Sequence, residues 1–296
     1  MKHYVGIDVS LEASSVCVVD GNGKIVREGK IVSEPDALIT WLGGLKLELT
    51  RIGLEAGPLS QWLYAAMRQA GLAVELLETR HVRNALKTMP VKTDRNDARA
   101  IAQAMRVGWF TAVHVKTAES QELRLLLTNR KTLQTSRVRL ENEIRGTLKA
   151  FGLKVGRIST VAFERRVIEL TGDRPRLQAM VRPMLAARHA LRVQFNTLHV
   201  MVLKAVRAHA VCRRLLRVRG VGAVTALSFA TAIDDPARFV QSRDVGAHLG
   251  LTPRKYASGE VDRNGGISKS GDRLAREALF VAPPVLGILY AVLNMA

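Results

Sequence analysis

The pattern of apolar and polar positions changes character twice along the chain. At the start, Tyr4–Val9, Ser14–Val19 and Lys24–Lys30 read as three short strands, and DGNG at Asp20–Gly23 is a hairpin turn between the last two. Pro35–Leu42 follows as a helix with Ser33 as its cap. Arg51–Glu55 is a strand, Leu59–Ala70 a helix ended by Gly71, Val74–Leu77 a strand and Asp94–Met105 a helix. Three strands in a meander, then alternating helix and strand, predict an α/β layer with a mixed sheet.

From about Glu119 to His209 the strand signals vanish. Leu126, Leu133 and Leu140 recur every seven residues, and Ile144 and Leu148 continue that face, with Arg130 and Arg137 interrupting the seam. Leu191, Phe195, Leu198 and Val202 form a second helical stripe. A looser region around Gly152–Gly156 and Thr171–Arg176 separates the two, so a long antiparallel helical hairpin of coiled-coil type is expected. From Leu215 onward, LLRVRGVGAVTALSFA sets Gly220 and Gly222 between two apolar helical runs. This is a helix-hairpin-helix-like pattern, in which glycines let backbone N–H groups approach a phosphate. The expected division is residues 1–115, 116–210 and 211–296, the last mainly helical. Leu279–Ala296 is almost wholly apolar but broken by Pro283 and Pro284, which reads as a buried helix after a proline break rather than a membrane span. The first residues turn polar too soon for a secretory signal.

Charge narrows the partners. The formal net charge of the 296 residues is +19, an excess that self-repels unless a polyanion offsets it. Nucleic acid is the expected partner. Arg124, Lys131, Arg139, Arg145, Lys149, Arg165 and Arg166 fall on outward helical positions with few acids nearby, a phosphate-facing surface. Aromatic residues are only 5%, which argues against a single-strand binder built on stacking platforms. Two distant cysteines, Cys17 and Cys212, form neither a disulfide framework nor a metal pair, and a cytoplasmic protein fits.

In so basic a chain the placement of acids is informative. Asp8 and Glu55 close two of the expected strands, and strand-end carboxylates of an open sheet point into the ligand crevice. Asp94 and Asp97, in KTDRNDARA, share one helix face. Capping and first-turn roles account for the helix pair singly but leave Glu55 unexplained. Four crowded carboxylates repel unless cations neutralise them, and hard oxygen ligands select Mg2+ or Mn2+. Two such ions about 4 Å apart act on phosphodiesters. The opening hairpin also fits sugar kinases and actin-like ATPases, but their second phosphate loop, of DxGxxT type, has no counterpart. The ribonuclease H-like fold shares the hairpin and needs only the carboxylates. At the other end, RKYASGEVDRNGGISKSG (Arg254–Gly271) holds Ser258, Ser268 and Ser270 in a basic loop, and the residues alone do not choose among them.

The set Asp8, Glu55, Asp94 and Asp97 resembles the DEDD catalytic set of insertion-sequence transposases of the one-ten family, relatives of the Piv/MooV DNA invertases. GLEAGPLSQWLYAAMRQAGLAVELL, MPVKTDRNDARAIAQ and the region from LLRVRGVGAVTALSFATAI to GDRLAREAL are similar to the family pattern, in the expected order, over about Tyr4–Leu279. The resemblance implies a RuvC/ribonuclease H-like N-terminal domain holding Mg2+ or Mn2+ through the four acids. It implies a helical coiled-coil middle and a C-terminal transposase domain whose serine attacks the DNA backbone to give a phosphoserine intermediate. RKYASG matches the family's RxYxSG segment, which assigns the nucleophile to Ser258, while Ser268 and Ser270 match a nearby loop element. Arg254, Lys255, Arg263 and Lys269 then become candidates for holding the attacked strand, alongside Arg124, Lys131, Arg139, Gly220 and Gly222. The implied partners are donor and target DNA, a structured bridge RNA as guide, and further copies in a dimer or tetramer, at the bacterial nucleoid rather than a membrane. An invertase without guide RNA and an inactive short copy are the alternatives. Family members run some tens of residues further, so a short or truncated member is expected from a chain stopping at Ala296.

Overall fold

In the computed structural model, residues 1–78, 93–258 and 261–281 are described. The chain divides into two units, Met1–Val115 and Lys116–Ala296.

In the first unit, β1 (His3–Asp8), β2 (Ala13–Asp20), β3 (Ile25–Val32), β4 (Leu49–Glu55) and β5 (Val74–Leu77) form one sheet in the order β3-β2-β1-β4-β5. The meander β1-β2-β3 is antiparallel, whereas β4 and β5 run parallel to β1. The turn after β2 forms as expected: Asp20 Oδ1 accepts from the backbone N–H groups of Asn22 and Lys24, each at 2.9 Å. On one sheet face Val5, Ile7, Val16, Val18, Ile52 and Leu54 pack with Leu38 and Leu42 of α1 (Pro35–Gly44) and Leu63 and Met67 of α2 (Ser60–Gln69). On the other face lies α3 (Asp94–Val107), with Ala98 and Ala102 against Cys17 and Val19, and Ile101 and Met105 against Leu77. The unit is thus an α/β layered sheet covered on both faces.

One local expectation fails. Ser33 does not cap α1; Glu34 occupies the cap position without a side-chain bond. Ser33 is buried at the end of β3, where its hydroxyl donates to the Ser10 carbonyl at 2.7 Å and lies 2.8 Å from the Ser14 hydroxyl. A buried hydroxyl takes the nearest partner, and here the β1–β2 connection supplies it.

In the second unit, α4 (Ala118–Lys149) and α6 (Pro175–Ala208) pair along their length, about 50 Å at the usual helical rise. Leu127 of α4 packs with Val202 and Val206 at one end, and Ile144 and Leu148 with Leu177, Val181 and Leu185 at the other, so the helices run antiparallel. Arginines fill the gaps in the apolar stripe. Arg130 stands 4.6 Å over the Phe195 ring and donates to His199. Arg188 is fully buried and donates to Glu141 (2.8 Å), to the Thr160 carbonyl (2.6 Å) and to Glu164 (2.7 Å) of the short α5 (Phe163–Leu170).

A second core surrounds α8 (Ala223–Ile233), whose residues Thr225 to Ile233 are all buried. It packs with α7 (Ala210–Leu215), α9 (Ser242–His248), α10 (Arg273–Val281) and the adjoining ends of α4 and α6. Gly220 and Gly222 form the turn between α7 and α8. Lys116 Nζ donates to the Thr231 and Ala232 carbonyls at the end of α8, and Thr117 donates to Asp234, so the start of α4 is fastened to this core. Burial lowers the Lys116 pKa to about 8. β6 (Pro253–Ser258) and β7 (Val261–Ile267) form a two-stranded antiparallel ribbon where the sequence reads as a loop. β6 is exposed throughout, so no buried face imposes the two-residue hydrophobic period that would announce it. The apolar segment expected to form a helix beyond Val281 lies outside the described residues. Among those residues, no helix is long and apolar enough to cross a membrane.

Candidate active site

The acidic site begins with two glycines. Gly6 of β1 and Gly53 of β4 are paired neighbours in the sheet. A methyl group on Gly6 would overlap the Ala98 carbonyl oxygen and the Ala102 nitrogen of α3, and one on Gly53 would come within 2.7 Å of Ile101 and Met105 side-chain carbons. The pair therefore makes a floor without side chains, on which α3 lies closer to the sheet than any larger residue allows. Asp8 and Glu55 each follow their glycine by two residues, so they emerge on the same face as α3. Asp94 and Asp97 occupy the first helical turn, just before Ala98. At its other end, α3 is tied to the β2–β3 turn by Gln103, which donates to the Gly23 carbonyl at 2.7 Å. The helix thus runs against β1, and its acidic turn lies toward the strand ends.

Capping sharpens this arrangement. Thr93 takes the N-cap position, and its Oγ1 accepts from Asn96 N at 3.2 Å, so Asp94 is not the cap of α3. Asp8 is buried, with 8% of its surface exposed, Glu55 and Asp97 are half-buried, and Asp94 is exposed. Burial, a hydrogen bond with Glu55, and the charges of Glu55, Asp94 and Asp97 together push the Asp8 carboxyl up to about 7. The four acids therefore share one field. As they stand, no three ligands of this kind among the described residues close tightly enough to hold an ion. The donor chemistry, all oxygen and anionic, nevertheless suits a hard divalent cation.

Sequence reasoning missed Glu28. It is a β3 residue with a side chain 14% exposed, bracketed by two arginines of α3. Arg95 donates from Nε at 2.9 Å and from Nη2 at 2.5 Å. Arg99 donates from Nε at 2.6 Å and from Nη2 at 3.0 Å. The guanidinium partners hold the Glu28 carboxyl down at about 2. Arg95 and Arg99 alternate with the acids along α3, so this clamp sets the rotation of the helix and turns Asp94 and Asp97 toward Asp8. The interleaving of D and R in TDRNDARA was the available signal.

Ser258 ends β6 in the second unit and is exposed. The base of its ribbon is tied to the neighbouring helices. Ser268 N donates to the Thr252 carbonyl at 2.8 Å, and Arg276 donates to the carbonyls of Leu249 (3.0 Å) and Ser270 (2.9 Å). The Ser268 and Ser270 hydroxyls lie 2.9 Å apart, half-buried at this base. Arg254 donates to the Ser268 carbonyl, Lys255 pairs with Asp262 across the ribbon at 3.1 Å, and Arg263 and Lys269 are exposed. Of the α4 cations, Arg124 pairs with Asp272 and Lys131 with Glu277, whereas Arg139 is exposed. Gly222 is exposed, with open space where a side chain would stand.

Both halves match known families. Residues 5–152 fit the model of the DEDD-type IS110 transposases, and residues 212–285 fit the "Transposase IS116/IS110/IS902 family". The chain belongs to the IS110 family of transposases. The transposase for insertion sequence element IS1111A of Coxiella burnetii is 30% identical over 93% of this chain and 75% of the relative. A probable family 20 transposase of Pseudomonas aeruginosa is 32% identical over 77% and 68%, and the putative transposase y4qE of Sinorhizobium fredii 29% over 93% and 70%. In this IS110-family chain the four acids gathered beside α3 all fall within the first match, and Ser258 within the second.

Proposed function

We propose that this transposase cuts and rejoins DNA with two sets of groups, the carboxylates of a RuvC/ribonuclease H-like domain (1–115) and the Ser258 hydroxyl of a C-terminal domain (211–296), with a helical coiled-coil region (116–210) between them. The observation that carries the reading is the buried Asp8 carboxyl, raised to about 7 among Glu55, Asp94 and Asp97. A fold maintains such crowding where a cation relieves it. The strand order β3-β2-β1-β4-β5 supports the ribonuclease H-like assignment.

Asp8, Glu55, Asp94 and Asp97 would hold Mg2+ or Mn2+, which when bound supplies charge to stabilise the attacking and leaving phosphodiester oxygens. Ser258 attacks phosphorus: its Oγ–P bond forms, the P–O bond to one strand end breaks, and the hydroxyl proton leaves as that oxygen gains one. Attack by a different strand end on the phosphoserine reverses the step and joins new partners. Arg254, Arg263 and Lys269 hold the backbone without reading sequence. A structured bridge RNA supplies sequence choice by pairing, which suits a chain of +19 charge with few aromatics. The working form is a dimer or tetramer.

The test is strand exchange between donor and target DNA by the purified full chain with Mg2+. Ser258→Ala and Asp97→Asn should each abolish exchange while DNA binding persists. Exchange by Ser258→Ala removes the serine assignment, and cleavage by Asp97→Asn removes the metal site. Sequencing the co-purifying nucleic acid separates a guided transposase from an unguided invertase. No Mg2+-dependent cleavage by the unaltered chain identifies a non-catalytic binding protein.

A further inference from the structure

At the end of the α4–α6 pair remote from the α8 core, the chain leaves α4 through Phe151 and re-enters α6 at Pro175. Phe151, Arg174, Pro175, Arg176, Leu177 and Met180 line a groove of about 670 Å3 there. Phe151 is 51% exposed and Met180 67%, whereas Leu177 is buried and forms the floor. The Arg174 guanidinium stands 6.0 Å from the Phe151 ring centre, and its Nη1 donates to the Phe151 carbonyl at 3.3 Å. An exposed ring is thus fixed beside a cation, with Arg176 exposed on the same groove.

Among the described residues, no acid lines the groove. Asp173 lies in the turn outside it, and Glu169 is engaged by Arg165 and Arg166. Lys149, Lys154 and Arg157 are exposed on the adjoining segment. The local core is closed by Ile144, Leu148, Val155, Phe163 and Leu177 without Phe151. An aromatic face, an apolar floor and two arginines match a base with its flanking phosphates, in a volume within the range of small-ligand sites. An apolar peptide would occupy the floor but leave both cations facing it. We infer that this groove receives one unpaired nucleotide, its base stacked on Phe151 and its phosphates against Arg174 and Arg176. The inference rests on the nucleic-acid-binding reading above. It adds a single stacking point to a surface that otherwise meets backbone.

Fluorescence anisotropy of the full-length chain tests it, using a labelled RNA hairpin with one bulged base, the same hairpin fully paired, and the DNA versions of both. Phe151→Leu keeps the apolar bulk and should weaken the bulged probe about tenfold, the effect of losing one base–aromatic stack, with the paired probe unchanged within about twofold. Phe151→Trp should restore the preference. Joint Arg174→Gln and Arg176→Gln should flatten the salt dependence of affinity by roughly one to two log–log slope units. Comparing RNA with DNA bulges identifies which nucleic acid supplies the base. Equal affinity of Phe151→Leu and the unaltered chain for the bulged probe overturns the inference while the binding reading stands. A change in oligomeric mass alone overturns it in favour of a contact between copies. Failure of the unaltered chain to bind any probe overturns both.

Discussion

Asp8 and Ser258 stand at opposite extremes of packing. Asp8 lies at the edge of a fully buried layer, behind Ile7, with α3 pressed onto the glycine pair beside it and Glu28 gripping two arginines of that helix. Ser258 ends a strand with no buried residue, in a ribbon tied at its base by Arg276. An isolated two-stranded ribbon is marginal in water, so this one is expected to gain order from what it binds. The difference follows from what each group must resist. Clustered carboxylates repel, and only a rigid scaffold keeps them together. On the proposed function, Ser258 meets a long polymer backbone, which needs reach more than rigidity.

The largest effect should come from Asp8→Asn, which sets function against stability. If Asp8 holds the metal as proposed, strand exchange should be lost. Because folding raises the Asp8 pKa to about 7, stability present below the ordinary carboxylate range is lost as pH rises toward 7. In chelator at pH 8, Asp8→Asn should therefore raise unfolding stability by about 2–4 kcal/mol, and Mg2+ should stabilise only the unaltered chain. Urea denaturation reads both, and a destabilised Asp8→Asn would refute the crowding.

Next, Gly6→Ala should destabilise the first unit by about 3 kcal/mol, because the methyl group meets α3 backbone that has nowhere to move. An unchanged urea midpoint would mean that the glycine floor does not set the approach of α3. Glu28→Gln should cost about 1–2 kcal/mol at neutral pH. Folding lowers the Glu28 pKa from 4.5 to about 2, so its contribution is complete above about 4.5 and is lost as pH falls toward 2. The variant should show a flatter acid limb in a pH series of thermal melts. The smallest effect belongs to the ribbon: Tyr256, 65% exposed on β6, should tolerate Tyr256→Ala within about 0.5 kcal/mol. A larger loss would show that the ribbon is packed and would erase the contrast.

The first unit was legible because burial writes itself into sequence. Val74–Leu77 matches its expected bounds, and the other strands and helices of the sheet region fall within a few residues of theirs. The ribbon was not legible because none of its described side chains is buried. The long helices were legible as stripes, but the fully buried Arg188 was not, since an arginine reads as surface until its three partners on other segments are known.

Sequence by itself determined the alternating layers, the long paired helices, the basic excess and the placement of Asp8 and Glu55 at strand ends and of Asp94 and Asp97 on one helix face. Tertiary structure alone decided that Gly6 pairs with Gly53, that Thr93 rather than Asp94 caps α3, and that Glu28 orients that helix. The reason is range. Periodicity records whether a residue meets the core, whereas the closeness of two charges depends on which distant segments the sheet register and the helix packing bring together.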